Sequence, residues 1–387
     1  MKIFVFIFAK ISVCAHGNLF RKKNRIYIFT MTPELPNKVR IIDIARMAGV
    51  SPGTVDRVIH NRGQVSEGKR KEILSIVENL QYQPNIIARS LAMKKTFRFA
   101  SLLPEYKPGE YWEAPEKGID KAWGEIRNYN VLVEKSYFNQ FDAQSFSAAS
   151  EKLLNSNPNA VLMAPTFCNE AVQLMERLHE KKIPGVYIDS NTEDDFYLSY
   201  FGQHSYQSGY VAAKLLVNGL PEGSKILVIR TMRIAGSCNQ TQRREEGFMA
   251  YFKEKGLTGK YHFIRIKLSA DDHSGNRKDV EQIFRKTSHI RAAIVFNSRV
   301  YQLADILKKM KIKNIKLIGY DLSGENVPAL KDKTISFLIA QRPEDQGYQG
   351  IMALCNHLVF NKEIKRINYM PIDILAKENI DYYMNYQ

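Results

Sequence analysis

Residues 39–58 constrain this chain most, because they read as two short amphipathic helices separated by a tight turn at Gly49. Apolar side chains at Ile41, Ile44, Ala45 and Ala48 recur at helical spacing, and Val55, Val58 and Ile59 resume the pattern after the turn. Each helix therefore has one face to bury. Ser51 has the chemistry of an N-cap, and Pro52 suits a first helical position, where a missing N–H costs nothing. Two short helices about a glycine are the outline of a helix-turn-helix, and also of many helix pairs that never meet nucleic acid. The second helix offers Gly53, Thr54, Arg57 and His60 on its other face. Arg57 is the best base reader among them, since its planar fork matches the two acceptors on a guanine edge.

Charge gathers at the same end. Residues 1–36 hold six Lys/Arg against one acid, and residues 37–97 hold eleven against five, so the remaining 290 of 387 residues carry only +5 of the net +16. A basic head on a nearly neutral body fits a polyanionic partner such as double-stranded DNA, although a solvated lysine-rich face would look similar. With 44% hydrophobic and 25% charged residues, the chain is of ordinary soluble composition and long enough for two or three domains. Cys14, Cys168, Cys238 and Cys355 lack paired spacing, and the eight histidines lack ligand spacing. We expect free thiols in a reducing compartment, with no metal site and no cofactor.

Residues 1–15 mimic a signal peptide, but Lys10 interrupts an apolar run already shorter than the roughly 20 residues a membrane span requires. An exported helix-turn-helix would have no genome to read. We therefore expect the true start at Met31 with the preceding segment an upstream extension, read 1–36 as a non-native or disordered N-terminal stretch, and expect a cytoplasmic protein with no membrane partner.

A third helix fits 66–80, with Ile73, Leu74, Val77 and Leu80 on one face, and Pro84 and Asn85 start a short fourth. From Phe97 the pattern becomes apolar runs of strand length at 99–103, 131–133, 160–164, 185–188, 225–229, 292–296 and 315–320. Helical patterns lie at 118–127, 145–155, 169–181, 206–218, 243–255, 279–286, 300–310 and 343–360. Alternation of strand and helix predicts an α/β body with parallel sheets, which bind ligands beyond the carboxyl ends of their strands.

At that point the chain resembles the LacI/GalR (lactose-repressor) family of bacterial transcription regulators over residues 38–387. The resemblance rests on Ile42-Asp43-Ile44-Ala45, Ala48-Gly49-Val50-Ser51, Thr54-Val55-Asp56-Arg57-Val58, Val65-Ser66, and Tyr82-Gln83-Pro84-Asn85 followed by Ala88 and Leu91. It implies a helix-turn-helix domain over 37–82, a hinge helix and linker over 83–96, and a two-lobed effector domain similar to periplasmic sugar-binding proteins over 97–387. Pro52, Gly53 and Arg57 fall where family members read bases, Thr54 where they touch phosphate, and Ala88 and Leu91 where a hinge leucine wedges into the minor groove. Asp56 stands where the family usually has serine, and a carboxylate there would repel phosphate unless it pairs with a base or faces away.

In the body, the resemblance implies a pocket formed by Tyr111, Trp112, Asp189, Arg244, Asn297, Asp321 and Gln341, with Glu105 as a weaker candidate. Carboxylates, amides and an arginine fork suit the hydroxyls of a sugar or sugar derivative, and the aromatic pair suits stacking on its ring. Ser298, where many members have aspartate, and the plain loop 237–240 leave that sugar unnamed. The expectation is a homodimeric, ligand-controlled binder of a pseudo-palindromic operator, since the C-terminal 380–387 lacks a leucine heptad for tail assembly. An exported sugar-binding protein is the rival reading, and residues 39–92 argue against it. No nucleophile, phosphate loop or metal spacing points to an enzyme.

Overall fold

A computed structural model describes residues 39–59, 63–80, 82, 96–192, 194–231, 240–269 and 273–386. The chain divides into two units, Met1–Asn85 and Ile86–Gln387. In the first, α1 (Ile41–Ala48) opens with Asp43 Oδ2 accepting the Arg40 N–H at 2.9 Å, a bond that holds the Asp43 carboxyl below its usual range. The helix ends on Gly49, whose φ of 62° lies in the left-handed region that glycine adopts without strain. Helix α2 (Pro52–Ile59) follows at once, with Ser51 Oγ accepting the Thr54 N–H at 3.2 Å. Helix α3 (Glu67–Asn79) closes the bundle, and its Lys69 Nζ donates to the C-terminal carbonyl of α1 at Ala48.

Ile44, Ala45, Ala48, Val55, Val58, Ile73 and Tyr82 form the core of this unit. One expected core residue fails, because Leu74 is 44% exposed. The buried stripe of α3 runs through Ile73, Ile76, Val77 and Leu80, the i, i+3, i+4, i+7 spacing that leaves position 74 off the face. The expected hinge helix, with Ala88 and Leu91, lies outside the described residues, as does His60.

The second unit holds two six-stranded sheets. The first lobe is built from β1 (Phe97–Pro104), α4 (Glu113–Ile126), β2 (Val131–Phe138), α5 (Ala143–Asn155), β3 (Ala160–Met163), α6 (Cys168–Glu180), β4 (Gly185–Ile188) and β5 (Ser199–Gln203). The second is built from α7 (Ser205–Val217), β6 (Lys225–Thr231), α8 (Gln240–Glu254), β7 (His262–Leu268), α9 (His273–Lys286), β8 (Ile290–Val295), α10 (Val300–Lys309), β9 (Lys316–Tyr320), α11 (Asn326–Lys331) and β10 (Phe337–Ala340). Helix α12 (Pro343–Leu358) and β11 (Ile367–Met370) then return to the first lobe, and β12 (Asp373–Leu375) and α13 (Ile380–Tyr386) to the second. The strand orders are β2-β1-β3-β4-β5-β11, all parallel, and β7-β6-β8-β9-β10-β12, parallel except for the last pair.

The strands that the sequence leaves unread share a cause. β7, β11 and β12 lie at the sheet edges with nearly all their side chains exposed or half-buried, so they never read as apolar runs, and β5 mixes serine, glycine and glutamine into its span. Cys355 is a buried free thiol as expected, whereas Cys168 is disulfide-bonded, a pairing that the spacing of distant cysteines cannot reveal. Cys14 and Cys238 lie outside the described residues.

The chain thus crosses between the lobes three times, after β5, β10 and β11. After each of the first two crossings, the arriving helix packs against the first helix of its new lobe through facing glycines. A Cβ on Gly209 of α7 would lie 1.8 Å from the Arg244 carbonyl of α8, and one on Gly247 the same distance from the Tyr206 carbonyl. In the other lobe, a Cβ on Gly118 of α4 would lie 1.9 Å from the Glu344 carbonyl and one on Gly347 of α12 would lie 2.0 Å from the Pro115 carbonyl. Gly247→Ala should therefore destabilise the body by about 2 kcal/mol or more in urea unfolding, because backbone atoms cannot yield as side chains do. Gly124→Ala, where the new methyl meets nothing within 4 Å on the same helix as Gly118, should instead stabilise by about 0.4–1 kcal/mol.

Candidate functional site

Asp189 is the first residue after β4 and Asp321 the first after β9, so corresponding strand ends of the two lobes present a carboxylate each. Both take left-handed backbone, with φ of 67° and 65°. A cavity of about 380 Å³ lies between these strand ends. Its floor is a hydrogen-bonded chain. Gln341, at the second crossing, donates from Nε2 to Asp189 Oδ1 at 3.3 Å and to Asp321 Oδ1 at 3.0 Å, joining the two lobes. Asp189 Oδ1 also accepts from the Tyr111 hydroxyl at 2.6 Å and from Gln240 Nε2 at 3.3 Å, and Ser190 Oγ donates to its Oδ2.

Arg244 supplies the buried cation. Its guanidinium lies over the Tyr320 ring at 4.0 Å, with Nη1 donating to the Phe296 carbonyl at 2.9 Å and Nη2 to Gln341 Oε1 at 3.4 Å. Its Nε is buried with no partner among the described residues. Burial raises the Asp321 carboxyl to about 7, with the Arg244 charge opposing, the Asp189 charge adding and the Gln341 bond opposing. Burial and then the Asp189 charge hold the Tyr111 phenol well above its usual value, so it remains a donor. The pocket can therefore offer acceptors and donors to hydroxyls while carrying a carboxylate that titrates near neutrality.

All seven pocket residues expected from the sequence line this cavity, and Glu105 does not, being exposed. The aromatic pair departs from the expected stacking platform. Tyr111 and Trp112 stand edge to face at 86°, and Trp112, only 7% exposed, packs into the core of the first lobe. Two perpendicular rings cannot both lie flat on one face of a ligand. Sequence reasoning missed Gln240, Phe141, Arg299, Tyr301 and Ser323, which also line the cavity. For Gln240 a signal existed, since it stands four residues before Arg244 on the same helical face. Phe141 lies three residues beyond β2, which runs to Phe138 where the apolar pattern predicts an end at Val133.

On α2, Pro52, Gly53 and Arg57 are exposed, and Thr54 and Asp56 are half-buried. Arg57 Nε donates to the Gly53 carbonyl at 3.2 Å, which lays the side chain along its own helix. Among the described residues no group of side chains could hold a metal ion, and no helix is long and apolar enough to cross a membrane.

Residues 40–85 match the family of bacterial regulatory proteins named for lacI, and residues 99–363 match the periplasmic binding protein domain. The chain is 38% identical over 98 residues to catabolite control protein A of Streptococcus mutans, covering 25% of this chain and 29% of that one. It is 30% identical over 156 residues to the regulator RegA of Clostridium acetobutylicum, spanning 44% of the latter's length. With the ribose operon repressor of Lactococcus lactis the match is longer, 27% over 293 residues, covering 73% of this chain and 80% of that one. Among solved structures, a LacI transcriptional regulator from Bacteroides fragilis is 38% identical with a TM-score of 0.71, covering 75% of this chain and all of that one. A glucose-galactose binding protein from Geobacillus stearothermophilus, 20% identical with a TM-score of 0.65 over 74% of this chain and 99% of its own, shares the fold.

Asp321 makes stability depend on pH with a defined sign. Its folded value, about 7, exceeds the 3.8 of the free side chain, so the folded chain holds the proton more tightly. The tightly held proton stabilises fully below about 4, and that stabilisation fades as pH rises through about 7, by up to about 4 kcal/mol. Urea unfolding of the wild type and Asp321→Asn should accordingly diverge between pH 4 and pH 7, with the wild type losing stability relative to the variant as pH rises.

Proposed function

Because the chain belongs to the lacI family of bacterial regulatory proteins, with a periplasmic-binding-protein-like body, we propose that it is a transcriptional regulator whose operator affinity is set by a small polyhydroxylated ligand. The observation that carries this reading is the paired carboxylates, Asp189 and Asp321, brought from opposite lobes into one cavity beside a buried arginine. Such a site rewards closure of the lobes about hydroxyls that bond to both sides. The ligand is a sugar or sugar derivative, held by Asp189, Asn297, Asp321, Gln341 and Arg244 with Tyr111 against its ring. The headpiece supports this reading over that of an exported receptor.

In this reading two copies bind a pseudo-palindromic operator in the cytoplasm, one headpiece to each half-site. Pro52, Gly53 and Arg57 face base edges and Thr54 a phosphate, while His60, Ala88 and Leu91 complete the contacts from segments outside the described residues. Arg57 can meet a guanine through Nη1 and Nη2 while Nε keeps the Gly53 carbonyl, so the bond within α2 need not break on binding. The pocket groups hold a ligand, and no catalytic role is assigned to them.

Gel shifts on the chain's own upstream DNA test the headpiece. Arg57→Ala should weaken specific binding by about 1–3 kcal/mol and leave binding to unrelated DNA nearly unchanged. An equal loss on both would make Arg57 a phosphate contact. The pocket is tested by melting-temperature rises with monosaccharides and sugar alcohols. Asp189→Asn should abolish the rise while operator affinity survives, a cleaner variant than Arg244→Ala, which would strip the Tyr320 stack and two hydrogen bonds from the core. The affinity of a ligand whose hydroxyl donates to Asp321 should increase as pH rises through about 7, since ionisation creates the stronger acceptor. Titration calorimetry at pH 6 and pH 8 reads that sign.

A further inference from the structure

The first crossing between lobes leaves β5 at Gln203, the second leaves β10 at Ala340, and the third passes through Pro371. Gln203 is 1% exposed, and its Nε2 donates to the Ala340 carbonyl at 3.0 Å and to the Pro371 carbonyl at 3.2 Å. One side chain therefore ties all three crossings. Backbone ladders already join β5 to β11 in one lobe and β10 to β12 in the other, so the third crossing is tied to each of the others. The first and second crossings are drawn together directly by the Gln203 amide. Arg342 and Asp373 make a further tie between the second and third, with Nε to Oδ2 at 2.7 Å.

The orientation of that amide is fixed, because turning it over would set its oxygen against two carbonyls. Its Oε1 is consequently buried with no partner among the described residues. A planar amide can serve both carbonyls only while the three crossings keep this spacing, and a rotation of the lobes about the crossings changes it. The spacing coincides with a shut mouth. At the far side of the cavity, the Gly324 N–H donates to the Gly109 carbonyl of the other lobe at 3.1 Å, and Arg299 lies over Phe141 at 5.1 Å.

We propose that the Gln203 amide is the pin of this hinge, a positioning residue that sets how often the ligand-free lobes close. It touches no ligand and acts through the crossings, so the inference holds whatever molecule enters the cavity.

Hydrogen exchange of the ligand-free full chain tests it, since protection of the Gly324 amide reports the closed form. Gln203→Met, of similar volume and without donors, should lose about tenfold in protection at Gly324, the effect of about one net hydrogen bond, while the amides of β3 and β8 keep theirs. Arg342→Met cuts a tie between crossings that a ladder already joins, and should change Gly324 by less than about threefold. Unchanged protection at Gly324 in Gln203→Met, or equal losses in the two variants, would overturn the proposal. So would lost protection in β3 and β8, which marks a packing role. The wild-type chain supplies a reading that needs no variant to fold. Both Nε2 protons of Gln203, each taken relative to its own intrinsic rate, should show the protection of the Gly324 amide to within about threefold, because one opening releases all three. Nε2 protons exchanging as freely as an exposed glutamine, with Gly324 still protected, overturn it as well.

Discussion

Backbone packed on backbone at the two glycine crossings is the constraint on which the rest of the body depends. A helix that has just left one lobe must seat against the first helix of the other, and in both lobes it does so closer than any side chain permits. That seating decides where the crossings run, and the crossings decide how far apart the ends of β4 and β9 stand. The cavity between Asp189 and Asp321 is therefore a product of packing several turns away. It also explains why Arg244 is held so firmly, since the residue whose carbonyl meets Gly209 is the one whose guanidinium lies on Tyr320.

Burial gives the pocket its chemistry and its instability together. Asp189 accepts from Tyr111, Gln240, Ser190 and Gln341, whereas Asp321 is buried with Gln341 Nε2 as its side-chain donor and the Arg244 charge nearby. The result is a carboxyl near neutrality at Asp321 and an unpartnered Nε on Arg244. Buried polar groups left incompletely satisfied are a cost that a folded chain retains where it has use for them.

Much of this was legible in the sequence because two simple rules coincide in it. Apolar runs such as 185–188 and 316–320 are buried strands, and the polar residue that ends each run, Asp189 or Asp321, is forced to the ligand side of a parallel sheet. The headpiece was legible for a similar reason, its glycine, its serine cap and its proline being demanded by local backbone geometry at Gly49, Ser51 and Pro52. What escaped depends on residues far apart in the chain. Trp112 turns inward because the first lobe has a place for it, and the role of Gln203 exists only once 340 and 371 are beside it. No pattern within one segment carries such information.

Asp189 and Asp321 hold matched positions at corresponding strand ends of the two lobes, but the residues around them are not matched. In α8, Arg244 stands three residues before the crossing glycine Gly247, and in α4 the corresponding place before Gly118 holds Pro115. Arg244 lines the cavity from α8 while Pro115 does not reach it from α4, so the buried guanidinium has no counterpart across the cleft and the two lobes offer a bound molecule unequal partners.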